Sequence, residues 1–157
     1  MHLLLALVLT STTFTAGATV PKSMIALPCG GENRSPQLAW DGIPRGTRSL
    51  ALLLHDPDAP ATGGFYHWVL YDLDTNSRGI ARAYQVPGNR TGRNDSGSIG
   101  YFGPCPPPGK LHHYEFTLYA LNIANLNPTQ PLNASDLLDR MRGHILAQAT
   151  LTATLQR

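Results

Sequence analysis

His112-His113-Tyr114-Glu115-Phe116-Thr117-Leu118-Tyr119-Ala120 alternates with a period of two. His112, Tyr114, Phe116, Leu118 and Ala120 share one face, while His113, Glu115 and Thr117 occupy the other, more polar face. Successive strand side chains point to opposite sides of a sheet, so the pattern predicts a half-buried β-strand. Residues 65–73 alternate in the same way. Phe65, His67, Val69, Tyr71 and Leu73 are expected on one side, with Tyr66, Trp68, Leu70 and Asp72 on the other. Residues 49–55 form a short apolar run bounded by Gly46 and by Asp56-Pro57, the punctuation of a buried strand. Ala149, Leu151, Ala153 and Leu155 alternate with Thr and predict a terminal strand. Before it, Ser135 and Asp136 read as a helix start, and Leu137, Leu138, Met141 and Ile145 recur at helical spacing. A helix is therefore expected near residues 135–147, with Gly143 interrupting its second half. Such strands, joined by long irregular loops, make a mainly β, antiparallel domain.

The rest of the chain agrees. At 157 residues it fits one domain spanning 1–157, and 42% hydrophobic residues suffice for a core. Only 14% are charged, against 15 Gly and 13 Pro, a balance that suits a loop-rich β protein better than a helical bundle. Net charge is +2, and the arginines are scattered, so no nucleic-acid groove is expected. No stretch approaches the ~20 apolar residues of a membrane span. The opening Leu3-Leu4-Leu5-Ala6-Leu7-Val8-Leu9, followed by Ala16-Gly17-Ala18, reads as a signal segment or as a first strand. The segment 87–109 is too long for a hairpin turn, and its Gly and Pro content argues for a shaped loop.

Candidate chemistry concentrates at Asp56-Pro57-Asp58-Ala59-Pro60, where a proline between two carboxylates holds the pair rigidly. The plain reading is a turn in which Asp caps backbone amides. His67 and His112, on two different strands, add imidazoles on apolar faces. A metal site lacks a short ligand pair. A glycosidase pair at Asp56 and Asp58 is expected to fail, with the two carboxylates turned to opposite sides rather than set across one sugar. Nucleophilic catalysis lacks a GxSxG elbow. An anion or zwitterion pocket remains, with His and Tyr donors and loop amides near Gly103. Cys29 and Cys105 form no CxxC pair and sit in Gly/Pro-rich loops. They read either as free thiols or as a bridge, which would stabilise by about 4 kcal/mol in the chain-entropy model.

These motifs resemble the phosphatidylethanolamine-binding protein family, in its bacterial YbhB/YbcL, Raf kinase inhibitor-like branch. The resemblance rests on Asp-Pro-Asp-Ala-Pro at 56–60, His67-Trp68, and Gly-Tyr-Phe-Gly-Pro-Cys-Pro-Pro-Pro-Gly at 100–109 with His112 and Tyr114. Gly31-Glu32-Asn33, Ser35-Pro36-Gln37-Leu38-Ala39-Trp40, Gly92-Arg93-Asn94-Asp95 and Gly143-His144-Ile145-Leu146-Ala147 extend it over nearly the whole chain. It implies two antiparallel sheets packed together with short helices, and a small surface cavity for phosphate or a phospholipid head group. Cavity residues would be Asp56, Asp58, His67, His112 and Tyr114, with Gly103, Pro104 and Pro106 at the mouth. It implies binding rather than catalysis, and no cofactor or metal. The alternatives are a kinase or protease inhibitor acting through the 87–109 loop, or a hydrolase or lyase using the His–Asp cavity. It leaves room for a protein partner and for a homodimer.

Leu9-Thr10-Ser11, Phe14, Gly17 and Val20-Pro21 resemble the family's first segment, so residues 1–9 are either native strand or the remnant of a signal. Secreted members resemble this chain at both cysteines, which implies a Cys29–Cys105 disulfide and favours a periplasmic or secreted location over the cytoplasm. His113 replaces a common Arg, Asp72 a common Asn and Leu155 a frequent Tyr, which bears on head-group preference. His67 and His112 are expected to donate to an anion, with binding strengthening as they protonate near pH ~6.5.

Overall fold

The computed structural model describes residues 5–157. In chain order its strands are β1 (Val8–Thr10), β2 (Leu38–Asp41), β3 (Ser49–Asp56), β4 (Phe65–Leu73), β5 (Gly79–Ile80), β6 (His112–Leu121) and β7 (Ile145–Leu155). They form two antiparallel sheets, one of order β1-β2-β5 and one of order β4-β3-β6-β7. Short helices complete the fold: single 3-10 turns at Leu27–Cys29 and Gly88–Arg90, and α1 at Ala134–Met141.

The strand β3 is apolar on both sides because it is covered on both sides. Leu50, Leu52 and Leu54 pack with Tyr114, Phe116 and Leu118 of β6 against Leu38 and Trp40 of β2. Ala51 and Leu53 pack on the opposite face with Val69, Tyr71, and Leu137 and Met141 of α1. Asn133 starts α1 by accepting the Asp136 N–H at 2.8 Å. The helix ends at Met141, short of residue 147, because Gly143 adopts φ 82° and redirects the chain. Ile145 therefore begins β7 and does not belong to the helix. Its helical spacing from Met141 is coincidental.

The alternation in β6 holds, but that in β4 is broken twice. Leu50 pairs with Leu73 and Leu52 with Leu70; further on, Leu54 pairs with Trp68 and His55 with Tyr66. At each point β4 carries one residue more than β3, and one of these bulges contains Asp72, at φ 52°. Leu73 thus joins Trp68 and Leu70 between the sheets, while Val69 and Tyr71 pack under α1. The bulge at His67 brings its ring to Tyr114 of β6, with centroids 5.4 Å apart.

Residues 17–20 run beside β7, with the Gly17 N–H on the Thr152 carbonyl (2.7 Å) and the Val20 N–H on that of Thr154 (2.8 Å). Phe14 and Val20 are buried. Cleavage after Ala18 would thus remove β1 and a core phenylalanine. Of the stretch 1–9 read as strand or signal remnant, residues 1–4 lie outside the described residues. Among the described residues no helix is long and apolar enough to cross a membrane. The long loop is tied down along the free edge of β4. Gly92 N–H donates to Val69 O (2.7 Å), Asp95 N–H to Tyr66 O (2.9 Å) and Phe102 N–H to His67 O (3.0 Å).

Candidate functional site

The end of β3 delivers Asp56 into the space between the sheets. Its Oδ1 accepts the Asp58 N–H at 2.9 Å, and its Oδ2 accepts from His112 Nδ1 at 2.7 Å. The turn-cap reading is realised on Oδ1, while Oδ2 is taken by His112. Both side chains of this couple are 4% exposed. Asp58 lies in the turn after β3, where strand alternation no longer applies, and its side chain turns outward. It accepts from the His113 backbone (2.8 Å) and from His113 Nδ1 (2.7 Å), with Lys110 Nζ at 3.7 Å. Those bonds to His113, helped by the charges of His113 and Lys110, hold the Asp58 carboxyl below its ordinary value. Asp58 thus stands on the outer face, away from the buried cluster.

His67 sits in the bulge of β4, and its Nδ1 donates to the Phe102 carbonyl at 2.7 Å. Burial pushes its pKa down to about 4, against the opposing pull of the Phe102 carbonyl and of Asp56. The expected protonation near pH 6.5 does not apply to this ring, because the apolar wall disfavours the imidazolium. Phe65 and Phe102 build that wall, their ring centroids 4.6 and 6.1 Å from His67. Tyr114 lies beneath both imidazoles. Burial first, then Asp56, raises its pKa and keeps the phenol protonated.

The mouth segment shapes the site more than it donates to it. The Gly103 N–H, a candidate anion donor, is already bonded to Asn33 Oδ1 at 2.7 Å. A Cβ on Gly103 would come within 2.2 Å of the Met24 carbonyl oxygen, so glycine is required for the close approach. The Pro104 carbonyl accepts the Ala26 N–H (3.0 Å), and that of Pro106 accepts from Arg157 Nη1 (3.0 Å). Cys105 is joined to Cys29 by a disulfide, with Cα atoms 5.6 Å apart. The residues missed from sequence are Phe65, Phe102 and Asn33. Asn33 and Phe102 lie inside the motifs at 31–33 and 100–109, where only the glycines and prolines carry a site signal, and Phe65 lies two residues before His67, whose bulge would have drawn attention to it.

With Nδ1 of both His67 and His112 committed inward, only the Nε2 edges remain for a ligand, and neither makes a hydrogen bond among the described residues. No fully buried side-chain nitrogen or oxygen among those residues lacks a partner, so both Nε2 atoms reach solvent. Among the described residues no cluster of three or more His, Cys, Asp or Glu is arranged to hold a metal.

A family model described as phosphatidylethanolamine-binding protein matches residues 10–156. The chain belongs to the phosphatidylethanolamine-binding protein family. A UPF0098 protein of Methanothermobacter thermautotrophicus is 44% identical over 135 residues, covering 82% of this chain and 87% of that protein. Among solved structures of the family, Escherichia coli YbcL superposes with TM-score 0.89 at 29% identity, covering 98% of this chain and 99% of that one. A homologue from Chlamydia trachomatis gives TM-score 0.86 at 36% identity, covering 97% and 98%. The two-sheet architecture with its non-sequential β3–β6 pairing is thus the family's fold.

Proposed function

We propose that the His67–His112–Tyr114–Asp56 cluster binds a small anionic or zwitterionic group of the phosphate or phospholipid head-group type, without chemical turnover. The observation that carries this is the pair of solvent-reaching Nε2 edges on two otherwise buried imidazoles. A neutral His67 with its proton on Nδ1 presents an acceptor at Nε2, which suits a phosphate that still carries one proton. Asp56 holds Nδ1 of His112 at 2.7 Å and so fixes that ring with its Nε2 edge toward the ligand. Three features favour binding over catalysis. The Tyr114 phenol is held protonated, Cys105 is in a disulfide, and Asp56 already serves the turn and His112. The disulfide favours an oxidising location, periplasmic or secreted.

Calorimetric titration of the full chain with inorganic phosphate and with phosphoethanolamine tests the reading. His112→Ala is expected to abolish phosphate binding, while His113→Ala, on the outer face, leaves it unchanged. Binding that strengthens as pH falls from 7 to 5, as more of the phosphate carries the proton that Nε2 of His67 accepts, accords with it. Equal loss in both variants, or slow consumption of phosphoethanolamine, overturns it.

A further inference from the structure

We propose that a second cavity, backing onto the wall that holds His67, binds a flat apolar anion of the aromatic carboxylate class. The cavity has a volume of about 460 Å³, within the usual range for small-molecule sites. It opens between the segment at residues 83–88 and the segment at residues 99–101. Its floor is the Trp68 indole, edge-on to the Tyr101 ring with centroids 5.5 Å apart. Two large apolar side chains that the fold leaves in water, Tyr84 at 53% and Ile99 at 46% exposure, both line it. A pair of exposed apolar groups on one concavity is a reason to look for an apolar ligand.

Charge decides the class. Arg34 is the one charged residue lining the cavity, no carboxylate lines it, and Arg34 makes no ion pair among the described residues. A guanidinium fork beside aromatic walls complements a carboxylate on a planar ring system, by paired hydrogen bonds and by stacking. The site is separate from the anion cluster. Gly100 and Tyr101 line the second cavity, whereas the next residue, Phe102, accepts from His67. The Tyr101 hydroxyl is bonded to the Met24 carbonyl at 2.7 Å and the Thr91 hydroxyl to that of Val86 at 2.9 Å, so the walls are held before any ligand arrives.

The two tryptophans supply the test, since Trp68 lines this cavity and Trp40 lines a neighbouring one. Uniformly 15N-labelled full-length protein is titrated with 2-naphthoate, with 2-naphthylmethanol as the neutral isostere, and with inorganic phosphate. Naphthoate is expected to shift the Trp68 indole N–H signal saturably and to leave that of Trp40, bonded to the Ser77 carbonyl at 2.9 Å, in place. The alcohol should bind about tenfold more weakly, the factor of one charge-assisted contact. Arg34→Gln, at an exposed position, should bring naphthoate down to the level of the alcohol; Ile99→Asp should weaken it by a similar factor through repulsion at the mouth. The proposal is overturned if Trp68 shows no saturable shift, if Arg34→Gln binds naphthoate unchanged, or if phosphate displaces naphthoate, which would place it in the His67 cluster.

Discussion

Asp56–His112 and Asp58–His113 are one chemical couple built twice, two residues apart on β3 and its turn and one residue apart on β6. The Nδ1–Oδ2 distance is 2.7 Å in both. The surroundings differ: the inner side chains are 4% exposed, whereas His113 is 46% and Asp58 21% exposed. Water competes for the outer pair and screens it, while the contact of the inner pair is largely shielded from water. Distance alone therefore says little about what a contact is worth. Burial decides its stability value.

The sharpest way to break the comparison is to delete the two carboxylates one at a time. Asp56→Ala leaves a buried imidazole and the turn amide of Asp58 without their acceptor and should cost about 3–5 kcal/mol in urea denaturation. A loss no greater than that of Asp58→Ala would show that the inner couple is not sealed from water.

A second, slightly smaller effect comes from His67, the buried imidazole with no carboxylate of its own. Its folded pKa of about 4 lies below the unfolded value of 6.5. Above pH 6.5 the ring is neutral in both states and contributes no slope. Between 6.5 and about 4 the unfolded chain accepts a proton that the folded ring refuses, so stability falls as pH falls. The loss over that window is about 3 kcal/mol. Denaturation midpoints followed from pH 7 to 4.5 check it: His67→Gln should flatten the slope, and an unchanged slope would assign it elsewhere.

The smallest effect belongs to the outer couple. Asp58→Ala should cost about 1 kcal/mol or less, and less again in high salt. Because the folded carboxyl lies below its ordinary value of 3.8, its contribution is present above that pH and fades as pH falls through the lower folded value. Acid titration of the wild type against Asp58→Ala measures the difference, and a loss comparable to that of Asp56→Ala would erase the contrast.

The split between the two histidines was legible in the sequence. A strict period of two along β6 puts His112 inside and His113 outside, whereas Asp56 and Asp58, two residues apart across the end of β3, are separated by the turn and not by alternation. The run at 49–55 reads as a buried strand because a strand covered on both faces has no polar side to show. The facing of β4 was not legible. Its bulges arise from pairing with β3, and no local signal marks where a strand will carry an extra residue. The state of His67 follows from the same limit, since its partner carbonyl, Phe102, lies 35 positions away and reaches it only through the folded loop. The second cavity was equally hidden, because it is assembled from separate segments with no shared pattern. Gly143 marked the end of α1 correctly, and only the accidental spacing of Ile145 suggested that the helix went on.

The pairing of β3 with β6 also sets a timetable for synthesis. Asp56 precedes its partner His112 by 56 residues. At roughly 5–20 residues per second, β3 leaves the ribosome roughly 3–11 seconds before β6 can cover it. During that wait β4 can pair with one edge of β3 and β2 can cover one face, but the other edge and the face that α1 later covers stay open, on a run from Leu50 to Leu54 that carries no charge. That nascent hairpin is the natural target for a chaperone, and the point at which a slow codon stretch between residues 57 and 111 would most favour aggregation over folding.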